Sequence, residues 1–178
     1  MNNFKLFLDI FSTLLSPIIE ILRWIRDICK NRQINLKNCE GFCIGEHKAD
    51  GCVVKFDNIT KEIYSRIDYN KTEAEICSVV IFTGELDASK KYRLKKHLCF
   101  ELKTSDLISK IEVECRLIKR DLRLDIATLS DWKKYSIALP EFGGVVGEWK
   151  CLSEIKFLMR RSEHFPGGEI WLRDMFIE

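Results

Sequence analysis

The sequence predicts a mainly-β fold, a sandwich or barrel of antiparallel strands, preceded by an N-terminal amphipathic helical segment. Three observations carry this. Polar residues recur every three or four positions up to Asn31, which is the helical period. Beyond about residue 52 the alternation drops to two, the period of a strand with one wet face. No helical pattern interrupts the short runs that follow.

The helical segment is read over residues 1–31. Lys5, Asp9, Ser12, Ser16, Glu20, Arg23 and Asp27 form a polar stripe, against a wide apolar remainder that includes Phe4, Phe7, Phe11, Leu15, Leu22 and Ile28. Ser16 can cap and Pro17 can occupy a first helical position, so one kinked helix or a helix pair both fit. The apolar face of residues 4–28 must pack on the β domain, on a protein partner or on a membrane surface. Residues 32–51 read as a connector, and residues 52–178 as the β domain.

Nine runs rich in β-branched and aromatic residues make up that domain: Cys52–Asp57, Glu62–Tyr69, Glu75–Phe82, His97–Lys103, Lys110–Ile118, Leu122–Ala127, Lys133–Leu139, Glu154–Met159 and Glu169–Ile177. Turn formers such as Asp50-Gly51, Gly143-Gly144 and Pro166-Gly167-Gly168 separate many of them. The alternation is clearest in two runs. Leu98, Phe100 and Leu102 oppose Cys99, Glu101 and Lys103; Ile111, Val113, Cys115 and Leu117 oppose Glu112, Glu114 and Arg116.

Charge excludes one class of partner. With 29 Lys and Arg against 27 Asp and Glu, the net charge of +2 gives no concentrated basic field for nucleic acid. The N-terminus makes a poor export signal, because Asp9 and Glu20 interrupt its apolar stretch and no small-residue cleavage site follows. Asp9, Glu20 and Arg23 also break any membrane span. The expectation is a cytoplasmic chain with free thiols, peripheral to a membrane if the helix lies on one; export is the alternative under which its eight cysteines would pair.

The stretches Leu86–Ser89, Leu98–Lys103, Ile111–Leu117, Asp131–Pro140 with Phe142, Trp149-Lys150, Ile155–Phe157 and Gly168–Phe176 follow one another in an order that resembles the galactose-binding-like β-sandwiches. That group includes carbohydrate-binding modules and the complex I intermediate-associated family. The resemblance is fullest from about Leu86 onward and extends back weakly through Tyr64–Phe82. It implies a jelly-roll sandwich that binds a glycan or another polar ligand and is not an enzyme. Its assembly-factor branch implies instead an intracellular interaction protein docked by the N-terminal helix. It also places Asp174 as an oxygen ligand of a structural calcium, although Arg173 stands where an acidic neighbour is usual.

Sugar binding needs aromatic faces for pyranose rings and polar groups for hydroxyls. The candidates are Tyr64, Arg66, Trp149, Trp171 and Arg173: Tyr64 shares a strand face with Arg66, and Trp171 shares one with Arg173. Trp132 reads as a packing residue. Cys39, Cys43, His47 and Cys52 have a C-x3-C-x3-H-x4-C spacing, irregular for a zinc loop, and read as free cysteines rather than a zinc site; a Cys39–Cys43 or Cys43–Cys52 disulfide applies only after export. No histidine lies in a nucleophile motif, so no catalytic residue is assigned. Glu112 and Glu114 read as a solvated face with cross-strand ion pairs.

Overall fold

The computed structural model describes residues 17, 19–21, 32–45, 50–86, 88, 96–143, 146–162 and 165–178. The chain divides into two units, Met1–Asn31 and Arg32–Glu178. Most of the expected N-terminal helix, including the docking face over residues 4–28, lies outside the described residues. The described positions within it, Pro17 and 19–21, are helical and exposed. Among the described residues, no helix is long and apolar enough to cross a membrane.

The second unit is a sandwich of two antiparallel sheets. Its strands are β1 (Arg32–Gln33), β2 (Cys39–Cys43), β3 (Cys52–Phe56), β4 (Ile63–Asp68), β5 (Ile76–Leu86), β6 (His97–Thr104), β7 (Lys110–Leu117), β8 (Asp121–Ala127), β9 (Lys133–Ala138), β10 (Leu152–Arg160) and β11 (Gly167–Ile177). One sheet has six strands in the order β3-β4-β11-β6-β9, with β1 also pairing β11; the other has the order β2-β5-β10-β7-β8. The nine runs read from the alternation are β3 to β11. The stretch read as a connector is a correction, since it contributes β1 and β2. Its Cys39–Cys43 segment, CEGFC, alternates inward cysteines with outward Glu40 and Phe42, a pattern too short to announce a strand.

The core lies between the sheets. Ile63, Ile67, Leu98, Phe100, Leu102, Ile170 and Leu172 meet Val79, Ile81, Val113, Cys115, Ile155 and Phe157, all buried. Phe100 stacks on Tyr135 and meets Phe157 edge-on, each pair of centroids 5.2 Å apart. Two short 3-10 turns, Leu139–Phe142 and Val146–Lys150, cover one region of the core, and the second buries Trp149 against Phe142.

β11 is the strand that positions the outer face. At its start Gly167 has φ 130°, and a Cβ there would meet the Ile67 carbonyl oxygen at 2.1 Å, so a side chain has no room. Near its end the register shifts between Arg173 and Phe176, with Asp174 at φ 50°. This bulge keeps Met175 and Ile177 in the core while Glu169, Trp171 and Arg173 face outward.

Candidate functional site

The outer face of the six-stranded sheet is organised in rows, because facing residues on antiparallel neighbours come side by side. The central row runs Lys55 on β3, Tyr64 on β4, Trp171 on β11 and Lys103 on β6. The Tyr64 and Trp171 rings are 5.6 Å apart and tilted by 49°. The Lys103 ammonium lies 5.2 Å from the Trp171 ring centroid, a cation–π contact. Both rings are half-buried, so part of each remains open to solvent.

The row on one side is Val53, Arg66 and Glu169. Tyr64 donates its hydroxyl to Glu169 at 2.5 Å, and this bond to a carboxylate pushes the phenol above its ordinary pKa. The row on the other side is an ion-pair chain. Arg173 donates to Glu101 at 2.7 Å and to Glu62 at 3.1 Å, and Lys134 reaches Glu101 at 3.4 Å. Arg173 also lies 4.0 Å above the Trp132 ring. Its hydrogen bond holds the Glu101 carboxyl below the ordinary carboxylate value, and Glu101 in turn raises the guanidinium.

Four of the five residues read as ligand-binding, Tyr64, Arg66, Trp171 and Arg173, therefore share one surface. Trp149 does not, and its assignment is corrected. It is 2% exposed, packs against Phe142 at 6.0 Å and presents no ring face to solvent. Trp132, read as a packing residue, is half-buried with Arg173 packed on its ring, at the rim of this surface. Extending the β6–β9 register by two residues from Glu101 and Lys134 sets Trp132 beside Lys103. The sequence signal was available in its position just ahead of the β9 alternation.

The outer face of the other sheet is different. Glu112 and Glu114 form cross-strand ion pairs, as their spacing suggested, but Glu114 is 2% exposed rather than solvated. Arg123 and Lys156 each hold it at 2.7 Å, Arg160 reaches Glu112 at 3.2 Å, and Arg116 bridges Glu154 and Asp121 at 3.2 and 3.6 Å. Its charges are satisfied by one another.

The residues considered for metals are described in part. His47 lies outside the described residues. Cys43 turns its sulfur to Cys77 at 3.3 Å, and Cys52 bonds the Ser78 carbonyl and Ser65 hydroxyl. Asp174 shares an open hollow of about 360 Å³ with Lys37 and Lys61, and no other carboxylate lines it. Calcium wants six or more oxygens, so that set does not fit the ion. Among the described residues, no three His, Cys, Asp or Glu side chains are grouped to hold a metal. A second open hollow, about 670 Å³, is lined by Tyr69, Glu75, Arg160, Arg161 and Phe165 among others, away from the aromatic row.

No protein-family model and no curated protein sequence matches the chain. Solved structures do. A family 11 carbohydrate-binding module from Clostridium thermocellum, in complex with a β-1,3-1,4-mixed-linked tetrasaccharide, is similar at 13% identity and TM-score 0.60, covering 83% of this chain and 94% of that one. The family 30 carbohydrate-binding module of a cellulosomal cellulase of Clostridium thermocellum is similar at 12% identity and TM-score 0.55, over 84% of this chain and 94% of that one. A β-1,2-glucanase from Parabacteroides distasonis is similar at 10% identity and TM-score 0.55, over 83% of this chain but 24% of its own length. The chain has a two-sheet antiparallel β-sandwich fold similar to that of carbohydrate-binding modules of families 11 and 30.

Proposed function

We propose that the protein is a non-catalytic carbohydrate-binding module whose ligand lies on the outer face of the six-stranded sheet. The observation that carries this is the pairing of Tyr64 with Trp171, directly opposite on adjacent central strands and half-open to solvent. Two apolar ring faces edged by Arg66, Glu169 and Lys103 offer both contacts a sugar needs: stacking for its C–H face and donors or acceptors for its hydroxyls. The likeness in fold to carbohydrate-binding modules supports the same reading.

The non-catalytic part is supported by the likeness in fold, which spans 94% of each of the two carbohydrate-binding modules but 24% of the β-1,2-glucanase. His97 Nδ1 contacts Ser136 Oγ at 2.9 Å, and Cys99 Sγ lies 3.6 Å from that hydroxyl. These groups sit on β6 and β9, the latter an edge strand paired on one side only. Contact between these side chains alone assigns no catalytic role.

The test is an array of plant, algal and bacterial oligosaccharides, followed by calorimetry on any hit. Trp171→Ala and Tyr64→Ala should each abolish binding while far-ultraviolet circular dichroism stays that of the parent. Absence of any hit at high protein concentration, or undiminished binding by both variants, overturns the reading.

A further inference from the structure

We propose that the ligand of this platform is an anionic glycan, one bearing carboxylate or sulfate groups. This deepens the glycan reading and rests on it.

The argument begins with where unspent positive charge lies. On the outer face of the five-stranded sheet, Arg116, Arg123, Lys156 and Arg160 all have carboxylate partners at 3.3 Å or less. In the Arg173 row, Glu62 and Glu101 balance Arg173 and Lys134. Around the two platform rings the balance fails. Lys55, Arg66 and Lys103 form no ion pair among the described residues. Glu169, which accepts from Tyr64, and Asp68, which is turned toward Lys71 and the Asn70 amide, lie beside Arg66; Glu62 and Glu101, in the adjoining row, are engaged by Arg173 and Lys134.

Geometry makes these cations a set. Lys55 and Lys103 flank the two rings within their row, one on each side. With strands about 4.8 Å apart, three spacings put their backbones roughly 14 Å from each other. A short oligosaccharide lying along the row would rest its rings on Tyr64 and Trp171 and carry its substituents toward both lysines. The Lys103 ammonium lies over the Trp171 ring, 5.2 Å from its centroid, which puts a cation at the stacking surface itself. Arg66 sits one row away beside Glu169, with a planar fork that suits a carboxylate or sulfate. A neutral sugar laid here would displace water from three cations and return only hydroxyls. An anionic group returns a charge-assisted bond for each one it meets.

The experiment is calorimetry on the full chain with an oligogalacturonide, its carboxyl-reduced neutral counterpart, and poly-glutamate as an anion without sugar rings. Sulfated galactan oligosaccharides and their desulfated forms distinguish sulfate from carboxylate. The acidic sugar should bind at least tenfold more tightly than its neutral partner and weaken as salt rises. Lys55→Ala should cost about two- to fivefold for the acidic sugar, the range of an exposed charge pair, and leave the neutral one unchanged, while Arg66→Ala and Lys103→Ala should each weaken the acidic sugar more than the neutral one. Trp171→Phe should weaken the acidic sugar while leaving the weak, salt-sensitive binding of poly-glutamate as it was. Equal affinity for the acidic and neutral members of both pairs overturns the proposal but leaves the glycan reading standing. Binding to none of the sugars overturns both. Poly-glutamate bound as tightly as the acidic sugar, with no effect of Trp171→Phe, shows mere charge attraction and overturns the proposal.

Discussion

Cys43 on β2 and Cys77 on β5 face each other directly, with their sulfurs 3.3 Å apart in the core. The next pair, Ile44 and Ile76, is joined through the Ile44 amide and the Ile76 carbonyl, so Cys43 and Cys77 occupy a non-hydrogen-bonded position of the ladder. There the Cα atoms are about 4.5 Å apart, within the roughly 4.4–6.8 Å that a disulfide spans. The disulfides weighed from the sequence alone, Cys39–Cys43 and Cys43–Cys52, did not include this partner.

A two-electron oxidant such as a diamide should therefore crosslink Cys43 to Cys77. Each thiol gives up its proton and the pair gives two electrons to the reagent. Burial raises the Cys77 thiol, so little thiolate forms and the reaction should be slow in the folded protein. Once formed, the link closes a loop between residues 34 apart, worth on the order of 3–4 kcal/mol by chain entropy. Non-reducing peptide mapping identifies the bond and a higher melting temperature confirms it. Oxidation that yields other pairings, or lowers the melting temperature, counts against the geometry.

The buried thiols also set a pH limit. Desolvation pushes Cys52 from 9.0 up to about 11, and raises Cys77, Cys115 and Tyr69 as well. These groups are acids held neutral in the folded state, while in the unfolded chain the thiols ionise near pH 9. Their contribution is fully present below that value and is lost as pH rises through the folded values. The melting temperature should hold steady to about pH 9 and then fall. Cys52→Ala should fall less steeply. Identical profiles for the two proteins would remove Cys52 from the explanation.

Two tryptophans should separate fold from binding. Trp149→Ala leaves a cavity beneath the 3-10 turns and should cost about 3–5 kcal/mol. Trp171→Ala uncovers part of a strand surface and should cost much less, while removing ligand binding. Thermal unfolding and calorimetry on the same two variants read both quantities. A Trp149→Ala protein as stable as the parent would contradict its burial.

Arg173 joins Glu62, Glu101 and the Trp132 ring, so Arg173→Met should release all three. Arg173 is about a third exposed, which limits the loss to about 1 kcal/mol. Acid sharpens the test. Glu101 titrates below its ordinary 4.5 when folded, so its contribution is present above that value and lost as pH falls through the folded one. In Arg173→Met that acid-dependent loss should shrink. Urea midpoints compared at neutral pH and near pH 3 decide the matter.

Much of this molecule was readable in the chain because strand parity is local. The alternation in Glu169–Ile177 places Trp171 and Arg173 together, and that in Glu62–Tyr69 places Tyr64 and Arg66 together. Parity gives the face but not the register, so the meeting of Tyr64 with Trp171 and the stacking of Arg173 on Trp132 needed the sheet. Trp149 escaped because a 3-10 turn offers no period-two pattern, leaving only its size as a guide. β2 escaped because Cys and Gly are weak strand signals and its inward thiols mimic a metal spacing. Asp174 was drawn from resemblance; the bulge that exposes it becomes visible only in the pairing of β11 with β6.

β11 has a further consequence, for the order in which the molecule assembles. It lies between β4 and β6 in the six-stranded sheet and also holds β1, yet it follows every one of its neighbours in sequence. Before it arrives, that sheet is two separate pieces, β3 with β4 and β6 with β9. A ribosome extending this chain would release both pieces long before the strand that joins them, and closing such distant pairs is intrinsically slow. During that interval the inward faces of β4 and β6 are exposed to aggregation. Tyr64 and Trp171 cannot form their pair until the same closing event, so the sugar binding proposed for them would report completion of the fold in real time.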